Sequence, residues 1–242
     1  MTIVVGHRGD PKGHVENTIE AFDSAVALGA SMVELDCRLT RDGVVVVLHD
    51  ETLDRLWHVP GPVGALTWDE VQLVGRDRYR IPTLSAVLSH VRVPVMVDVS
   101  SVVTMEGAVA VVEAAKATSR CIFAGGTGAL GRLRQLCPGA RIALTWDKFR
   151  APAPGLLSTI RPEWFNPSWA RVTPGLVGRM HADGIGVSVW TVDNPVLMRL
   201  AVSAGVDALI TNEVARAVAA VRSGSTVRPG FGEADPGEQR AD

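Results

Sequence analysis

Ile3-Val4-Val5-Gly6, then Asn17–Leu28, then Met32-Val33-Glu34-Leu35-Asp36-Cys37-Arg38-Leu39 read in succession as strand, helix and strand. The first is a short apolar run. In the second, Ile19, Phe22, Ala25, Val26 and Ala27 recur at helical spacing and Gly29 ends the element. The same alternation continues through the chain. Strand-like runs lie at Val44–His49, Val93–Val99, Cys121–Ala124, Arg141–Trp146, Val187–Val192 and Ala208–Thr211, with a weaker one at Glu163–Asn166. Helical patterns fill the gaps at Leu84–Val91, Gly107–Thr118, Leu130–Leu136, Gly175–His181, Pro195–Ala204 and Glu213–Val221. Several strands are apolar almost throughout, as strands covered on both faces by crossover helices must be. The order predicts an α/β fold with a parallel sheet. The number of units within 242 residues favours a closed (β/α)₈ TIM barrel over a doubly wound sheet. No GxGxxG follows the first strand, which argues against a dinucleotide site.

Residues 1–223 are expected to form a single barrel domain. Within it, 51–80 breaks the alternation with Pro60-Gly61-Pro62 and a short helix from Thr67, and reads as an insertion after the second strand at the barrel mouth. Residues 224–242, rich in Gly, Pro and acids, read as a flexible tail. With 47% hydrophobic and 21% charged residues the chain has the composition of a globular protein. A net charge of -2 gives no footprint for nucleic-acid binding. No apolar run is long enough for stable membrane insertion. The N-terminus lacks a basic segment and cleavage site, so a cytoplasmic location is expected. Cys37, Cys121 and Cys137 show no CxxC spacing and read as buried small hydrophobes.

Charged residues interrupt the apolar strands at particular places. Glu34 and Asp36 sit two apart on one strand and therefore point to one face, with Leu35 and Cys37 on the other. If Asp42-Gly43 is a two-residue turn, Asp36 stands opposite His49; a four-residue loop puts Glu34 there, and a three-residue loop with a bulge breaks the pairing. Asp98 ends another apolar strand. Unless Arg or Lys neutralises them, carboxylates crowded inside a barrel need a cation, and hard oxygen ligands favour Mg²⁺, Ca²⁺ or Mn²⁺. His7 ends the first strand and Arg8 follows it, at the end where barrel active sites lie. His7 and His49 are candidates for general acid and base, and Arg8 for a phosphate. Gly125-Gly126-Thr127-Gly128 is a weaker candidate for a phosphate cradle, and Trp146, Trp164, Trp169 and Trp190, at or near strand ends, are candidates for gripping an organic group.

These motifs together resemble the glycerophosphodiester phosphodiesterase family. The resemblance rests on Gly6-His7-Arg8-Gly9, Glu16-Asn17-Thr18, Glu34-Leu35-Asp36, Thr40-Arg41-Asp42-Gly43, His49-Asp50, Ile81-Pro82-Thr83-Leu84, Trp190-Thr191-Val192-Asp193 and Ile210-Thr211-Asn212. It implies a TIM barrel that cleaves a small-molecule glycerophosphodiester to glycerol 3-phosphate and an alcohol through a cyclic phosphate. It also implies one divalent cation on Glu34, Asp36 and Asp98, His7 and His49 as the acid–base pair, and Arg8 on the phosphate. The chain departs from the family where Glu-x-Lys is usual and Asp98-Val99-Ser100 stands, and where Trp-Thr-Val-Asn ends in Asp193. Lys148 or Arg38 are candidates to replace the missing lysine. Those changes leave open a lysophospholipid or another headgroup diester as substrate, or a phosphate-binding barrel without catalysis.

Overall fold

The computed structural model describes residues 1–224. All but the first residue of the tail expected at 224–242 lies outside them. Eight strands make the barrel: β1 (Ile3–His7), β2 (Met32–Leu39), β3 (Val95–Asp98), β4 (Cys121–Gly125), β5 (Ile142–Trp146), β6 (Trp164–Pro167), β7 (Gly186–Val189) and β8 (Ala208–Thr211). Each pairs in parallel with the next, and β8 returns to β1 with Val5 beside Ile210, which closes the ring.

Eight helices wrap it: α1 (Ile19–Ala27), α2 (Leu84–His90), α3 (Val102–Ala114), α4 (Thr127–Leu136), α5 (Pro154–Ile160), α6 (Pro174–Ala182), α7 (Pro195–Ser203) and α8 (Val214–Gly224). Their starts are written locally. Thr18, Thr83, Ser101, Thr173 and Asn194 each accept a backbone N–H from the first turn. No helix of the described residues is long and apolar enough to cross a membrane.

Strand alternation sorts the core into two layers. Val33, Leu35 and Cys37 of β2 point outward and pack with Phe22, Leu84 and Met105 between sheet and helices. Val5, Met32, Met96, Ile122, Ala208 and Ile210 point inward and fill the barrel. One step further along the same strands the inward positions turn polar: His7 lies beside Glu34, and Asp36 beside Asp98. The inward residues Ala124 and Ala143 are small, which leaves room above them.

The segment expected as an insertion carries the short helices Asp54–Trp57 and Trp68–Val71 and a two-stranded ribbon, Gly75–Arg76 with Tyr79–Arg80. Leu53, Trp57, Val63, Val71 and Val74 bury themselves with Val46, Leu48 and Ile81 in an apolar cluster separate from the barrel core.

The turn after β1 is sterically tight. Gly9 has φ +86°, and a Cβ there would sit 2.5 Å from the Ala21 carbonyl carbon at the start of α1. Both the left-handed backbone and the contact exclude a side chain. Gly9→Ala should lower the free energy of unfolding by roughly 2 kcal/mol or more, read by urea denaturation; a loss near zero would show that the turn relaxes freely.

Candidate active site

At the C-terminal ends of the strands the barrel opens into a cavity of about 230 Å³. His7, Arg8, Glu34, Asp36, Arg38, His49, Asp98, Ser100, Asn166 and Trp190 are among the residues that line it. The singled-out acids, histidines and arginines, with Trp190, thus share one space, and Lys148 is the exception.

The acids are strained electrostatically. Burial, with the neighbouring charges of Asp36 and Asp98, pushes the Glu34 carboxyl well above the usual carboxylate range. Burial and Asp36 push Asp98 up to about 7, against the opposing pull of Arg38 and Arg8. Asp36 is the best compensated: Arg8 Nε lies 3.1 Å from its Oδ2, and Asn17 Nδ2 donates to the same oxygen at 2.9 Å. Glu34 accepts the backbone N–H of Arg8 at 3.0 Å. No Arg or Lys side chain pairs with Glu34 or Asp98, and the Asp98 carboxyl accepts no hydrogen bond among the described residues. Neutralisation by arginine is therefore realised for one acid of the three.

As placed, no three His, Cys, Asp or Glu side chains among the described residues stand close enough together to hold a metal ion. The donor chemistry nevertheless suits a divalent cation. Three carboxylates from adjacent strands face one cavity, and two of them are held against ionisation by burial and mutual repulsion, which a dication would relieve.

The hairpin after β2 has neither of the two registers that would set His49 directly across from an acid. Cys37 pairs with Val47, Arg38 with Val46 and Leu39 with Val45, which makes a three-residue turn with Gly43 at φ +84°. Asp36 then faces Leu48, whose N–H it accepts. His49 enters the cavity because the chain leaves the ladder there, not because the ladder points it inward. Arg38 holds the departing chain: its Nε donates to the His49 carbonyl at 2.9 Å, its Nη2 donates to the same oxygen, and its Nη1 donates to Ser100 Oγ at 2.6 Å.

The two rings are set differently. His7 is largely buried, and burial followed by the charge of Arg8 lowers its pKa below the ordinary histidine value. Its Nδ1 is 2.8 Å from Asn212 Oδ1, and its Nε2 is 3.9 Å from Glu34 Oε2. His49 is more open, with Nδ1 2.7 Å from Asp50 Oδ1. Asp50 is gripped by Arg55 at 2.5 and 3.0 Å, and the same guanidinium reaches Glu16 at 2.7 Å. Glu16 in turn accepts from Arg8 at 2.9 Å. A continuous chain of charges, Arg8–Glu16–Arg55–Asp50–His49, thus joins the two sides of the cavity. Arg55 comes from the insertion, and no residue of 51–80 lines the cavity itself. The segment braces the site rather than covering it.

Lys148 lies outside the cavity. It borders a separate small hollow with its ammonium 5.1 Å from the centre of the Trp146 ring. Trp146 points out of the barrel against Phe165, whereas Trp190 lines the cavity with its Nε1 donating to Asn166 O at 2.9 Å. The Gly125–Gly128 turn lines none of the cavity; a Cβ on Gly125 would meet Val99 O at 2.6 Å, so this glycine serves backbone packing. The sequence marks Asn17, Asp50 and Asn212 only as parts of motifs, and their contacts with Asp36, His49 and His7 show what they hold. No local signal marks Arg55, whose partners are 5 and 39 residues away.

Residues 7–216 match the model of the glycerophosphoryl diester phosphodiesterase family. A glycerophosphodiester phosphodiesterase of Caldanaerobacter subterraneus subsp. tengcongensis is 29% identical over 240 residues, covering 92% of this chain and 99% of that one. The solved structure of a glycerophosphodiester phosphodiesterase from Agrobacterium tumefaciens superposes with a TM-score of 0.82 at 28% identity, covering 92% of this chain and 100% of that one. An Oleispira antarctica phosphodiesterase, solved in complex with the product sn-glycerol-3-phosphate, shares the fold with a TM-score of 0.83 at 19% identity, covering 92% of this chain and 97% of that one.

Arg55 holds the Asp50 carboxyl down at about 2, with smaller help from His49. An unfolded aspartate titrates near 3.9, so the contribution of Asp50 to stability is full above about pH 4 and fades as pH falls through 2. In Arg55→Ala the Asp50 carboxyl, followed by ¹³C NMR, should titrate closer to about 3.9. A midpoint that stays near 2 would mean that Arg55 is not what holds it.

Proposed function

The chain belongs to the glycerophosphoryl diester phosphodiesterase family, and on that premise we propose that it hydrolyses glycerophosphodiesters to glycerol 3-phosphate and an alcohol with His7 as base and His49 as acid. The observation that carries this reading is the convergence of both rings, Arg8 and three carboxylates on one cavity.

The difference between the rings supports the division of labour. A base must be unprotonated at working pH, and burial beside Arg8 favours neutral His7. Its Nε2, the nitrogen not engaged by Asn212, takes the proton from the glycerol hydroxyl next to the phosphate. That oxygen bonds to phosphorus as the bond to the leaving alcohol breaks. His49, with Nδ1 occupied by Asp50, turns its other nitrogen to the substrate and gives a proton to the departing oxygen. The product of this step is a cyclic phosphate. In the second step His49 takes a proton from water, the water oxygen bonds to phosphorus, and His7 returns its proton to the hydroxyl that leaves. A divalent cation, held by Glu34, Asp36 and Asp98, would polarise the phosphate and lower the pKa of the attacking hydroxyl.

Arg8 suits the phosphate oxygens. It lines the cavity with Nη1 on Glu16 and with a buried Nε that makes no properly directed hydrogen bond although Asp36 Oδ2 is near, so its hydrogen-bonding capacity is not saturated. Arg38, already on Ser100, is the cation that stands on the third-strand side, where the resemblance leads one to look for a lysine. Trp190 supplies an apolar wall for the glycerol carbons.

Purified protein should release glycerol 3-phosphate from glycerophosphocholine or a related deacylated diester, lose activity with EDTA and regain it with Mg²⁺, Ca²⁺ or Mn²⁺. His7→Ala and His49→Ala should each lower kcat by about 10²–10⁴-fold with the fold intact by circular dichroism. Turnover that survives both substitutions, or preference for acylated over deacylated diesters across the panel, would overturn the assignment of the rings or of the substrate class respectively.

A further inference from the structure

Asp193 follows β7 and does not line the cavity, yet three hydrogen-bond donors are organised around its carboxylate. Its Oδ1 accepts the Thr211 hydroxyl at 3.0 Å and the Asn212 backbone N–H at 2.8 Å, and its Oδ2 accepts Asn212 Nδ2 at 2.8 Å. Thr211 is fully buried, and its hydroxyl accepts the Glu213 N–H, so its own proton is directed to Asp193. An ionised carboxylate only accepts hydrogen bonds. The Asn212 amide therefore has one permitted orientation: NH₂ toward Asp193 and oxygen toward His7. Flipping it would set two acceptor oxygens 2.8 Å apart.

The consequence passes to the ring. Asn212 Oδ1, 2.8 Å from His7 Nδ1, can only accept, so neutral His7 must carry its proton on Nδ1. Nε2 is left as a bare lone pair on the Glu34 side of the ring. We propose that Asp193 is a positioning residue that fixes the tautomer of His7 through Asn212, and so makes Nε2 the basic nitrogen. The proposal rests on His7 as the base for its effect on rate, whereas the tautomer itself does not depend on that reading.

An amide at position 193 would reverse the arrangement. It could keep its oxygen on Thr211 and the Asn212 N–H, but would then present NH₂ where Oδ2 stands. Asn212 would flip to offer its oxygen, NH₂ would point at His7 Nδ1, and the ring proton would move to Nε2. Exchanging the two side chains, Asp193→Asn with Asn212→Asp, restores an acceptor opposite Nδ1.

The test combines ¹⁵N NMR of the histidine rings, with the His7 signals identified by their loss in His7→Gln, and steady-state kinetics. In the unsubstituted protein at a pH where His7 is neutral, Nδ1 should carry the proton and Nε2 should show the shift of a bare nitrogen. Asp193→Asn should move the proton to Nε2 and lower kcat by about tenfold or more, with KM changed less than about threefold. The double exchange should return the tautomer and recover most of the lost kcat. A proton found on Nε2 in the unsubstituted protein overturns the proposal without need of any variant. So does an Asp193→Asn protein with unchanged tautomer, or a folded double exchange no better than the single one. Full activity in His7→Ala would instead remove His7 as base and leave the tautomer result standing.

Discussion

Carboxylates on neighbouring parallel strands of a closed barrel cannot move apart, because the strand spacing is set by backbone hydrogen bonds and the ring has no free edge. Asp36 and Asp98 are held side by side in that way, with Glu34 one inward position away on the same strand as Asp36. Burial, with this repulsion added to it, raises Glu34 and Asp98, and the charge is only partly answered by Arg8 on Asp36. Most of the polar architecture around the cavity can be understood as a response to this charge. Asn17, with φ +60° and its side chain buried, gives both of its amide ends to Asp36. Arg8, also in left-handed backbone at φ +58°, bridges Asp36 and Glu16. Two strained residues in the β1–α1 loop are tolerated because both side chains satisfy the Asp36 carboxylate.

The two imidazoles are held by different kinds of support, and this follows from their places in the fold. His7 ends a barrel strand, so its position is fixed by the ladder and its surroundings need only set the proton. His49 lies just past the end of an antiparallel strand, where no ladder reaches. Its backbone carbonyl is held by Arg38 and its ring by Asp50, which is itself held by Arg55. The 51–80 segment contributes through that one guanidinium, and its own apolar cluster supplies the rigidity behind it. An element that contributes no residue to the cavity wall thereby governs a residue that does.

Much of this was legible in the sequence, for reasons that differ by element. The barrel strands were readable because their outward residues are uniformly apolar, so β2 and β8 have the expected bounds and a lone acid in such a run stands out. The period-2 rule placed Glu34 and Asp36 on one face without any knowledge of partners. Boundaries were poorer where local signals conflict. α3 begins at Val102, five residues before Gly107, because the β-branched Val102-Val103-Thr104 masks a start that Ser101 caps. α5 was missed entirely: Pro152, Pro154 and Gly155 read as loop, although Pro154 occupies the first turn, where its missing N–H does no harm. The route of His49 into the cavity escaped because one extra turn residue changes the pairing parity. Arg55 and the role of Asp193 were not legible, since Arg55, on a short helix with no motif, joins Asp50 to the distant Glu16, and Asp193 acts through residues 18 and 19 positions away.

The departures at Asp98, Ser100 and Asp193 take on a consistent meaning once the contacts are known. A shorter acid at the end of β3 and a hydroxyl two residues on leave a gap on that side of the cavity, and the long side chain of Arg38, from the neighbouring strand, fills it and bonds to Ser100. A cation is thus supplied across the β2–β3 pair instead of along β3. Lys148 could not serve, because β5 alternation sends Trp146 outward and the chain carries the lysine after it to the far side of the wall. At position 193 an acid stands where the family's usual motif ends in an amide, and its neighbour at 212 is an amide, so the pair contains one acceptor-only group and one group that can both donate and accept. Hydrogen-bond polarity has to match along Asp193, Asn212 and His7, which is why neither of the first two residues can be interpreted without the other.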